Sequence, residues 1–220
     1  MLSFVEGLLR PDSAEDMDAS VKQTERTMKA ARPGRIIVVR HGRPTLNRNE
    51  GPRLDWKAYR EWWARYEQSP LAEGQTCADQ LFKEIPDNAV MFSSVRPRAM
   101  QTADHLARGK KVTRNEVFNE APLPPPRWKA RYLPKTWNKI ARVVWMMGHH
   151  DGDEHVTAAK ARASKAADLL IEAAGGGQDV VLAAHGWFNR MLRPQLKKRG
   201  WTCVHDGGDK YWSYRIYRKR

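Results

Sequence analysis

The sequence predicts an α/β protein built as a three-layer sandwich around a mostly parallel central sheet. Short, continuous aliphatic runs such as "IIVV" and "VVLAA" are typical of strands buried on both faces of a parallel sheet. Longer segments with helical periodicity lie between these runs, so strand and helix patterns alternate along the chain. With 220 residues, the chain is long enough for one substantial domain with a real core.

The first 34 residues are expected to form an N-terminal helical extension. Ser13 is placed to cap a helix over about residues 14–30, with acidic residues early and Lys29 late, as the helix dipole favours. Pro33 and Gly34 then interrupt the chain. The extension either packs on the domain surface or serves as a partner-binding arm. The main domain is expected to cover residues 35–220.

The main domain is predicted to open with a buried strand over Arg35–Val39, followed by a helix over Asp55–Glu67. Aromatic residues recur at helical spacing along this helix and share one face, which favours a core contact over a ligand contact. They are Trp56, Tyr59, Trp63 and Tyr66. The next predicted elements, in order, are a helix over 76–84, a strand over 89–94, a helix over 97–107 and a strand over 111–118.

Residues 121–150 are expected to be irregular, because proline, aromatic and basic residues are mixed there without a clear period. This segment is expected to form much of the roof of a pocket, or to be solvated surface over packed aromatics. Its candidate residues are Arg127, Trp128, Arg131, Tyr132, Lys135 and Trp137. A helix over 154–174 is expected to stop at three glycines. A buried strand over 179–184, a helix over 188–198 and a terminal edge strand over 212–219 complete the prediction.

Charge and composition limit the function classes. The formal net charge of +14 attracts anions, which include nucleic acid, anionic lipid and phosphorylated small molecules. The aliphatic runs are too short to span a bilayer, and Glu6 interrupts an N-terminus that lacks a basic region, so we expect neither a membrane partner nor a secretory signal. Cys77 and Cys203 show no metal-type spacing and are expected to be reduced thiols of a cytoplasmic protein.

Three segments are predicted to meet at one edge of the sheet. The first strand ends in Arg40-His41-Gly42, the fourth ends in Ala184-His185-Gly186, and Arg96 and Arg98 stand where a helix follows the second strand. Ligands of open α/β sheets bind at such strand ends. These cations have no evident carboxylate partners in sequence, and a bound phosphate would neutralise them. The alternative is that the arginines pair with distant acids and that the histidines are hydrogen-bonded core residues.

The same residues resemble the histidine phosphatase superfamily, in its phosphoglycerate mutase-like branch. Five ordered segments carry the resemblance: "VVRHGRPTLN", "SPLAEGQTCADQL", "SSVRPRAMQTA", "FNEAPLP" and "AAHGWFNRML". Together they span about residues 35–192. The resemblance implies a phosphoglycerate mutase-like sandwich.

The resemblance also implies roles for individual residues. His41 would be the nucleophile that forms a phosphohistidine, and Glu120 would protonate the leaving oxygen and then assist water. Further residues would hold phosphate oxygens: Arg40, Asn47, Arg98, His185 and Gly186. Arg43 departs from the family pattern and would be either an added cation at the pocket rim or a solvated residue. The chemistry requires no cofactor and no metal. The "HHDGDEH" segment, residues 149–155, crowds its ligands too closely for one ion and suits a helix start.

Three functions remain open from the sequence. The first is a phosphomonoesterase that hydrolyses a phosphorylated small molecule through a phosphohistidine on His41. The second is a mutase-type phosphotransferase that passes the phosphoryl group back to a sugar acid. The third is a catalytically silent basic module that binds nucleic acid or phosphoprotein, although no repeated basic-aromatic motif supports a nucleic-acid partner. The sequence leaves a homodimer open.

Overall fold

A six-stranded mixed sheet forms the centre of this computed structural model, which describes residues 32–220. The strands are β1 Ile36–Arg40, β2 Val90–Ser93, β3 Val112–Arg114, β4 Val180–Ala184, β5 Trp201–Asp206 and β6 Tyr214–Lys219. Their order across the sheet is β3-β2-β4-β1-β6-β5. Strands β1 to β4 run parallel, whereas β6 is antiparallel to β1 and β5 is antiparallel to β6. The predicted mostly parallel sheet is confirmed.

Six α-helices and one 3₁₀ turn connect or follow the strands within the described residues. The helices are α1 Trp56–Glu67, α2 Asp79–Glu84, α3 Pro97–Ala107, α4 Pro134–Met146, α5 Val156–Ala174 and α6 Gly186–Lys198, and the 3₁₀ turn covers Glu116–Phe118. Most predicted helices are present with bounds shifted by one to three residues. The predicted N-terminal helix lies outside the described residues. Within residues 32–220, no helix is both long enough and apolar enough to cross a membrane.

Helices cover both faces of the sheet, which confirms the three-layer arrangement. Alternate residues of β1 and β4 face opposite layers, as the two-residue period of a strand requires. Ile36 and Leu182 pack in one layer with Leu170 of α5 and Leu192 of α6. The opposite layer contains residues of β1, β2, β4, α2 and α3, among them Ile37, Val181, Met91, Leu81 and Leu106. The central strands are therefore buried on both faces, as their continuous aliphatic runs indicate.

The prediction that residues 121–150 are irregular is wrong, because this segment contains the 13-residue helix α4. Pro134 occupies its first turn, where a missing N–H costs nothing. Trp137, Ala141 and Trp145 recur every four residues and are fully buried. The prolines before the helix and the basic residues on its outer face obscured this period.

The buried face of α1 differs from the predicted stripe. Tyr59, Trp62 and Tyr66 are buried, and the Trp62 ring stacks on both tyrosines with centroid distances of 5.9 and 5.2 Å. Trp56 and Trp63 are only half-buried. The stripe therefore passes through Trp62, and Trp63 faces the cavity described below.

The terminal strand β6 is not an edge strand, contrary to the prediction. It lies between β1 and β5, and β5 forms the edge. Strand β5 carries little signal in the sequence, because only Trp201 of its six residues is buried and the residues from Cys203 onward are exposed. A strand with so little burial lacks the alternation on which a sequence prediction depends.

Candidate active site

The two predicted histidines meet at the carboxyl ends of β1 and β4. Arg40 pairs with Ala184 in the parallel ladder, so His41 and His185 follow on neighbouring strands. The backbone N–H of His41 donates to the carbonyl of Ala184 at 2.9 Å. Both imidazoles are buried, and their ring centroids lie 5.1 Å apart. The predicted convergence of the two strand ends is present.

Hydrogen bonding orients the imidazole of His41. Its Nδ1 lies 2.6 Å from the carbonyl oxygen of Gly42, and a carbonyl can only accept. Nδ1 therefore carries the proton. The Nε of Arg98 donates to Nε2 of His41 at 3.2 Å, which requires a lone pair on Nε2. His41 is thus a neutral imidazole whose Nε2 lone pair accepts the N–H of the Arg98 guanidinium.

His185 is held in a matching way. The Nη2 of Arg98 lies 3.2 Å from Nδ1 of His185, and guanidinium nitrogens are donors only. Nε2 of His185 lies 2.6 Å from Oγ of Ser94 and donates its proton to that oxygen. The buried imidazole is therefore neutral and satisfied on both nitrogens.

Burial and neighbouring cations keep both histidines neutral. Burial, followed by the charges of Arg98 and Arg40, holds the pKa of His41 well below its ordinary value of 6.5. Burial, followed by the charge of Arg98 and the neighbouring His41, does the same to the pKa of His185. A nucleophilic imidazole must be unprotonated, so this electrostatic environment suits nucleophilic use of His41.

Arg98 uses all five of its N–H donors within the protein. Two face the histidines. On the other side, Nη1 donates to the carbonyls of Tyr66 and Glu67 at 3.0 and 3.1 Å, and Nη2 donates to Oε1 of Glu67 at 2.7 Å. The guanidinium is 1% exposed, and it lies 4.9 Å from the Tyr66 ring centroid. Arg98 is fixed in place before any substrate arrives.

Glu67 corrects the expectation that these arginines have no carboxylate partner. Its Oε1 pairs with Arg98, and its Oε2 lies 2.9 Å from Nε of Arg96. The carboxylate is buried and is not among the residues that line the cavity. It comes from the last turn of α1, about thirty residues before its partners, so the linear sequence did not connect them. Glu67 positions Arg98 and compensates its charge.

Arg40 differs from Arg98, because not all of its N–H groups have an acceptor among the described residues. Its Nη1 donates to the carbonyl oxygen of Asp209, and its guanidinium lies 4.5 Å from the Tyr211 ring centroid. Its Nε is buried without a hydrogen-bond partner among the described residues. Burial lowers the pKa of Arg40. No carboxylate side chain of residues 32–220 forms an ion pair with this guanidinium that would offset the effect. A ligand anion would supply the missing acceptor.

Two glycines allow close approaches at the site. A Cβ on Gly42 would lie 2.6 Å from the indole of Trp212, so only glycine fits beneath that ring. A Cβ on Gly186 would lie 3.1 Å from Nε of Arg40, so glycine lets the guanidinium rest on the start of α6.

The hydroxyl of Thr102 connects α3 to the end of β1. It accepts the N–H of Gly42 at 3.0 Å and donates to the carbonyl of Arg98.

Glu120 sits at the N-terminus of α6. Its Oε1 accepts the N–H of Phe188 at 2.7 Å and that of Ala121 at 3.0 Å, while Oε2 accepts the N–H of Trp187 at 3.1 Å. The carboxylate therefore caps the helix on the side where the dipole favours a negative charge. It also lines the same cavity as His41. The acid and base role of Glu120 stays a prediction.

The cavity that contains His41 has a volume of about 710 Å³ and is strongly basic. Its basic lining residues are Arg40, Arg48, Arg98, Lys135, Lys139, Arg142 and Arg190. Only Glu120 and Asp209 contribute carboxylates to the lining. Partial burial disfavours the charged form of Asp209, but hydrogen bonds from Arg190 and Arg193 outweigh it and lower the pKa of Asp209 to about 2. Its arginine partners therefore favour the charged form of Asp209.

Arg142 is a buried cation of the cavity wall. It is 8% exposed and donates to the carbonyls of Ala121 and Pro122, both at 3.1 Å. Its guanidinium packs 4.9 and 4.8 Å from the rings of Trp145 and Trp187. Burial lowers the pKa of Arg142 to about 10. The wall thus has positive charge that no carboxylate of residues 32–220 pairs with directly.

Only part of the predicted roof faces this cavity. Lys135 lines it, whereas Trp137 is fully buried and donates its indole N–H to the carbonyl of Leu54. Arg127 pairs with Asp151 at 2.9 Å. The remaining roof candidates, Trp128, Arg131 and Tyr132, do not line the cavity. Lys139, Asn138 and Met146 of α4 line it and were not singled out from the sequence.

Asn47 and Arg43 lie outside the cavity lining. Both are exposed, and Asn47 donates to Oε1 of Glu50 at 2.5 Å. The backbone N–H and carbonyl of Arg43 both bond to the side chain of Gln75. Their neighbours Arg48 and Asn49 line the cavity instead. The predicted phosphate contacts of Asn47 and Arg43 stay predictions, although these two residues do not line the cavity.

The residues of the 149–155 segment have structural partners. Asp151 accepts from Arg60 and Arg127, and His155 caps α5 by accepting the N–H of Thr157. Within residues 32–220, no three His, Cys, Asp or Glu side chains are grouped to hold a metal ion. The helix-start interpretation of this segment is the one that the structure supports.

Several residues of the site were missed from the sequence. Ser94 and Thr102 lie inside the motif "SSVRPRAMQTA", so the motif itself was a signal. Tyr211 and Asp209 follow β5, in a loop whose position next to β1 depends on the antiparallel pairing of β6. Neither residue carries a local signal in the sequence.

A sequence model of the histidine phosphatase superfamily (branch 1) matches residues 36–206 of the chain. The chain belongs to the histidine phosphatase superfamily. The match begins at β1 and includes both histidine-bearing strand ends, so the family assignment and the geometry concern the same residues. Curated protein sequences give no match to the chain.

Solved structures share the fold of this member of the histidine phosphatase superfamily. A protein described as mycobacterial hydrolase 1 has a TM-score of 0.55 at 23% identity, covering 84% of this chain and 88% of that chain. A mycobacterial glucosyl-3-phosphoglycerate phosphatase, solved in complex with VO₃, has a TM-score of 0.53 at 21% identity, covering 84% and 92%. A phosphoglycerate mutase from Bacillus anthracis has a TM-score of 0.51 at 17% identity, covering 88% and 91%.

Proposed function

We propose that the chain is a phosphomonoesterase that hydrolyses a phosphorylated small molecule through a phosphohistidine intermediate on His41. The observation that carries the proposal is the bonding of His41. Nδ1 is tied to the Gly42 carbonyl, and the Nε2 lone pair faces Arg98 inside a basic cavity. A neutral nucleophile surrounded by cations is what phosphoryl transfer requires.

In the first step, Nε2 of His41 attacks phosphorus, the Nε2–P bond forms and the P–O bond to the leaving group breaks. Glu120 supplies the proton to the leaving oxygen. In the second step, Glu120 accepts a proton from water, the water oxygen attacks phosphorus and the Nε2–P bond breaks. Inorganic phosphate leaves, and His41 returns to its neutral form. Positioning and electrostatics supply most of the catalysis.

Arg98 and Arg40 act on the phosphoryl oxygens in different ways. The two N–H groups of Arg98 that face the histidines transfer from imidazole lone pairs to equatorial oxygens as the phosphoryl group enters. Its other three N–H groups stay on Tyr66 and Glu67, so the guanidinium does not move. Arg40 provides donors that have no protein acceptor. Such fixed donors stabilise charge that develops in the transition state.

The charge of the cavity supports a substrate with a second anionic group. Five basic lining residues have no carboxylate partner within the described residues: Arg40, Arg48, Lys135, Lys139 and Arg142. One phosphate dianion compensates only part of this charge. Trp63, Val143 and Met146 add apolar surface to the same wall. We therefore place a compact organic phosphate with a second acidic group in the cavity.

The two free thiols, of which Cys203 is exposed, support a reducing cytoplasmic compartment.

The test is a screen of phosphorylated metabolites and p-nitrophenyl phosphate for released inorganic phosphate, with His41→Ala as the matched control. We expect release by the wild-type chain without any bisphosphate primer, and none by His41→Ala. Quenching during turnover should trap an acid-labile, alkali-stable phosphoenzyme on His41. Phosphoryl transfer to a sugar acid that depends on a bisphosphate primer would point to the mutase. No turnover with any substrate would contradict both enzymatic functions.

A further inference from the structure

A second cavity, of about 630 Å³, lies beside the edge of the sheet and shares no lining residue with the catalytic cavity. Residues of α6, β5 and β6 line it. Its charged lining residues are Arg193, Lys197, Arg215, Arg220 and Asp206. Asp206 and Asp209 pair with Arg193 and Arg215, so Lys197 and Arg220 are the lining cations without a carboxylate partner in residues 32–220.

Buried hydrogen-bond donors at this cavity lack acceptors. The Nε atoms of Arg193 and Arg215 and the Nε1 of Trp201 are buried and have no hydrogen-bond partner among the described residues. Arg215 is 7% exposed and Trp201 is 1% exposed. Buried polar groups are normally satisfied, and an unsatisfied donor is destabilising. These three donors belong to residues that line one basic cavity, which favours a ligand that brings acceptors to it.

The walls of the cavity also offer guanidinium planes. The side chains of Arg193 and Arg220 are accessible, whereas the rings of Trp201 and Tyr217 are 1% and 4% exposed and lie behind them. A guanidinium plane packs well against a planar ring. The volume is in the range of pockets that hold small organic ligands. The chemistry fits an anion attached to a ring better than a bare inorganic ion.

Asp209 connects this cavity to the catalytic one. Arg193 donates to Oδ1 of Asp209, and Arg215 donates to the same oxygen at 3.1 Å. Asp209 lines the catalytic cavity, and its backbone carbonyl accepts a hydrogen bond from the guanidinium Nη1 of Arg40. Arg190, which also lines the catalytic cavity, donates to Oδ2 at 2.8 Å. One residue thus bonds to cations of both cavities.

We propose that the second cavity binds a small anion that carries a planar ring, such as an aryl or nucleoside phosphate, and that its occupancy inhibits the catalytic cavity through Asp209. A bound anion competes with Asp209 for Arg193 and Arg215. Loosening Asp209 frees the carbonyl that holds Arg40 beside His41. The inhibition rests on the proposed function, whereas the binding does not.

Binding is tested with phenylphosphonate, whose C–P bond is not hydrolysed by phosphomonoesterase chemistry. Titration calorimetry on the full chain should resolve two sites. In the variant Lys197→Met with Arg220→Met, the affinity of one site should fall about 10-fold or more, because two partly exposed cations are removed. Lys198→Met removes an exposed lysine of the same helix end that does not line the cavity, and it should bind like wild type. Equal binding by wild type and the double variant would overturn the proposal.

Coupling is tested by steady-state hydrolysis of p-nitrophenyl phosphate with and without phenylphosphonate. Competition at the catalytic cavity raises the apparent KM alone and should be the same in wild type and the double variant. Occupancy of the second cavity should lower kcat about 5-fold in wild type, a typical size for coupling between two sites, and should not do so in the double variant. A kcat effect that persists in the double variant, or no effect in wild type, would refute the coupling. An inactive chain that still shows the second binding site would refute only the proposed function.

Discussion

Arg98 and His41 share a hydrogen bond of 3.2 Å in which the guanidinium Nε donates to the imidazole Nε2. The same guanidinium reaches His185, so one buried cation sets the tautomers of both imidazoles. Glu67 compensates the charge from the opposite side. Since the cation is also the neighbour that keeps His41 unprotonated, orientation and electrostatics of the nucleophile depend on one side chain.

Arg98→Lys should lower kcat/KM for p-nitrophenyl phosphate by about 10²–10³-fold, the cost of losing fixed donors at a developing charge. Lysine keeps the charge and the pair with Glu67, but its ammonium cannot bridge both histidines and Tyr66. The matched control is Arg96→Lys. Arg96 contacts the same carboxylate and is more exposed, so its replacement should cost less than tenfold. Similar losses in both variants, at equal thermal stability, would contradict the bridging role.

Stability should fall as pH drops below 6.5, because the unfolded chain then binds protons on histidines that stay neutral in the folded chain. The folded pKa values of His41 and His185 are well below 6.5, so the unfolded state binds more protons in that range. Each imidazole then contributes a slope of about 1.4 kcal/mol of unfolding free energy per pH unit. Denaturant titrations between pH 8 and pH 5 measure the slope.

His41→Asn should reduce this slope by about half, since one of two titrating imidazoles is removed. The wild-type chain, titrated under the same conditions, is the control. A slope that is unchanged in His41→Asn would show that the histidine at the active site titrates normally in the folded protein.

The sheet and the two strand-end motifs were predictable because buried parallel strands carry an unbroken aliphatic signal. β1 and β4 are buried on nearly every residue, and their ends place His41 and His185 on adjacent strands. Helix α3 was predicted with its observed bounds, since Pro97 and the following motif define its start. These elements also contain most of the residues that surround the nucleophile.

The parts that sequence reasoning missed depend on contacts between distant segments. Glu67 pairs with Arg98 from 31 residues away, and Asp209 contacts Arg40 from 169 residues away. Helix α4 was missed because a proline-rich segment precedes it, and strand β5 was missed because most of its residues are exposed. In each case the decisive partner is provided by tertiary structure, for which a local pattern carries no signal.

Gly186→Ala should lower activity without lowering stability. A Cβ at this position would lie 3.1 Å from Nε and 3.2 Å from Cζ of Arg40, so the guanidinium must shift by a few tenths of an ångström. We expect kcat/KM to fall about tenfold, because catalysis is sensitive to small displacements of fixed donors. Gly176→Ala, where a Cβ would meet nothing within 4 Å, should leave activity unchanged. An active Gly186→Ala enzyme would remove Arg40 from phosphate positioning.

Glu120→Gln should impair alkyl phosphates more than aryl phosphates. An alkoxide is a poor leaving group and needs a proton from the acid, a contribution of about 10²–10⁴-fold, whereas a nitrophenolate leaves with little help. Glutamine also weakens the cap on α6, because its amide N–H₂ cannot accept from Trp187 or Phe188. The ratio of the two kcat/KM values, measured on one preparation, is independent of any loss of folded protein. An unchanged ratio would exclude Glu120 as the acid.

Lys139→Met should weaken substrates that carry a second anionic group and leave simple aryl phosphates unaffected. Phenyl phosphate and 4-carboxyphenyl phosphate form a matched pair that differs only in the added carboxylate. Lys139 is exposed and has no carboxylate partner in residues 32–220, so its attraction to that group is that of a partly screened ion pair. KM for 4-carboxyphenyl phosphate should rise about 3- to 5-fold, and about 10-fold when Lys135→Met is added. Lys129→Met, which removes an exposed lysine outside the cavity, is the control. Equal changes for both substrates would mean that Lys139 contributes only to the general positive field of the cavity and that α4 does not select a second acidic group.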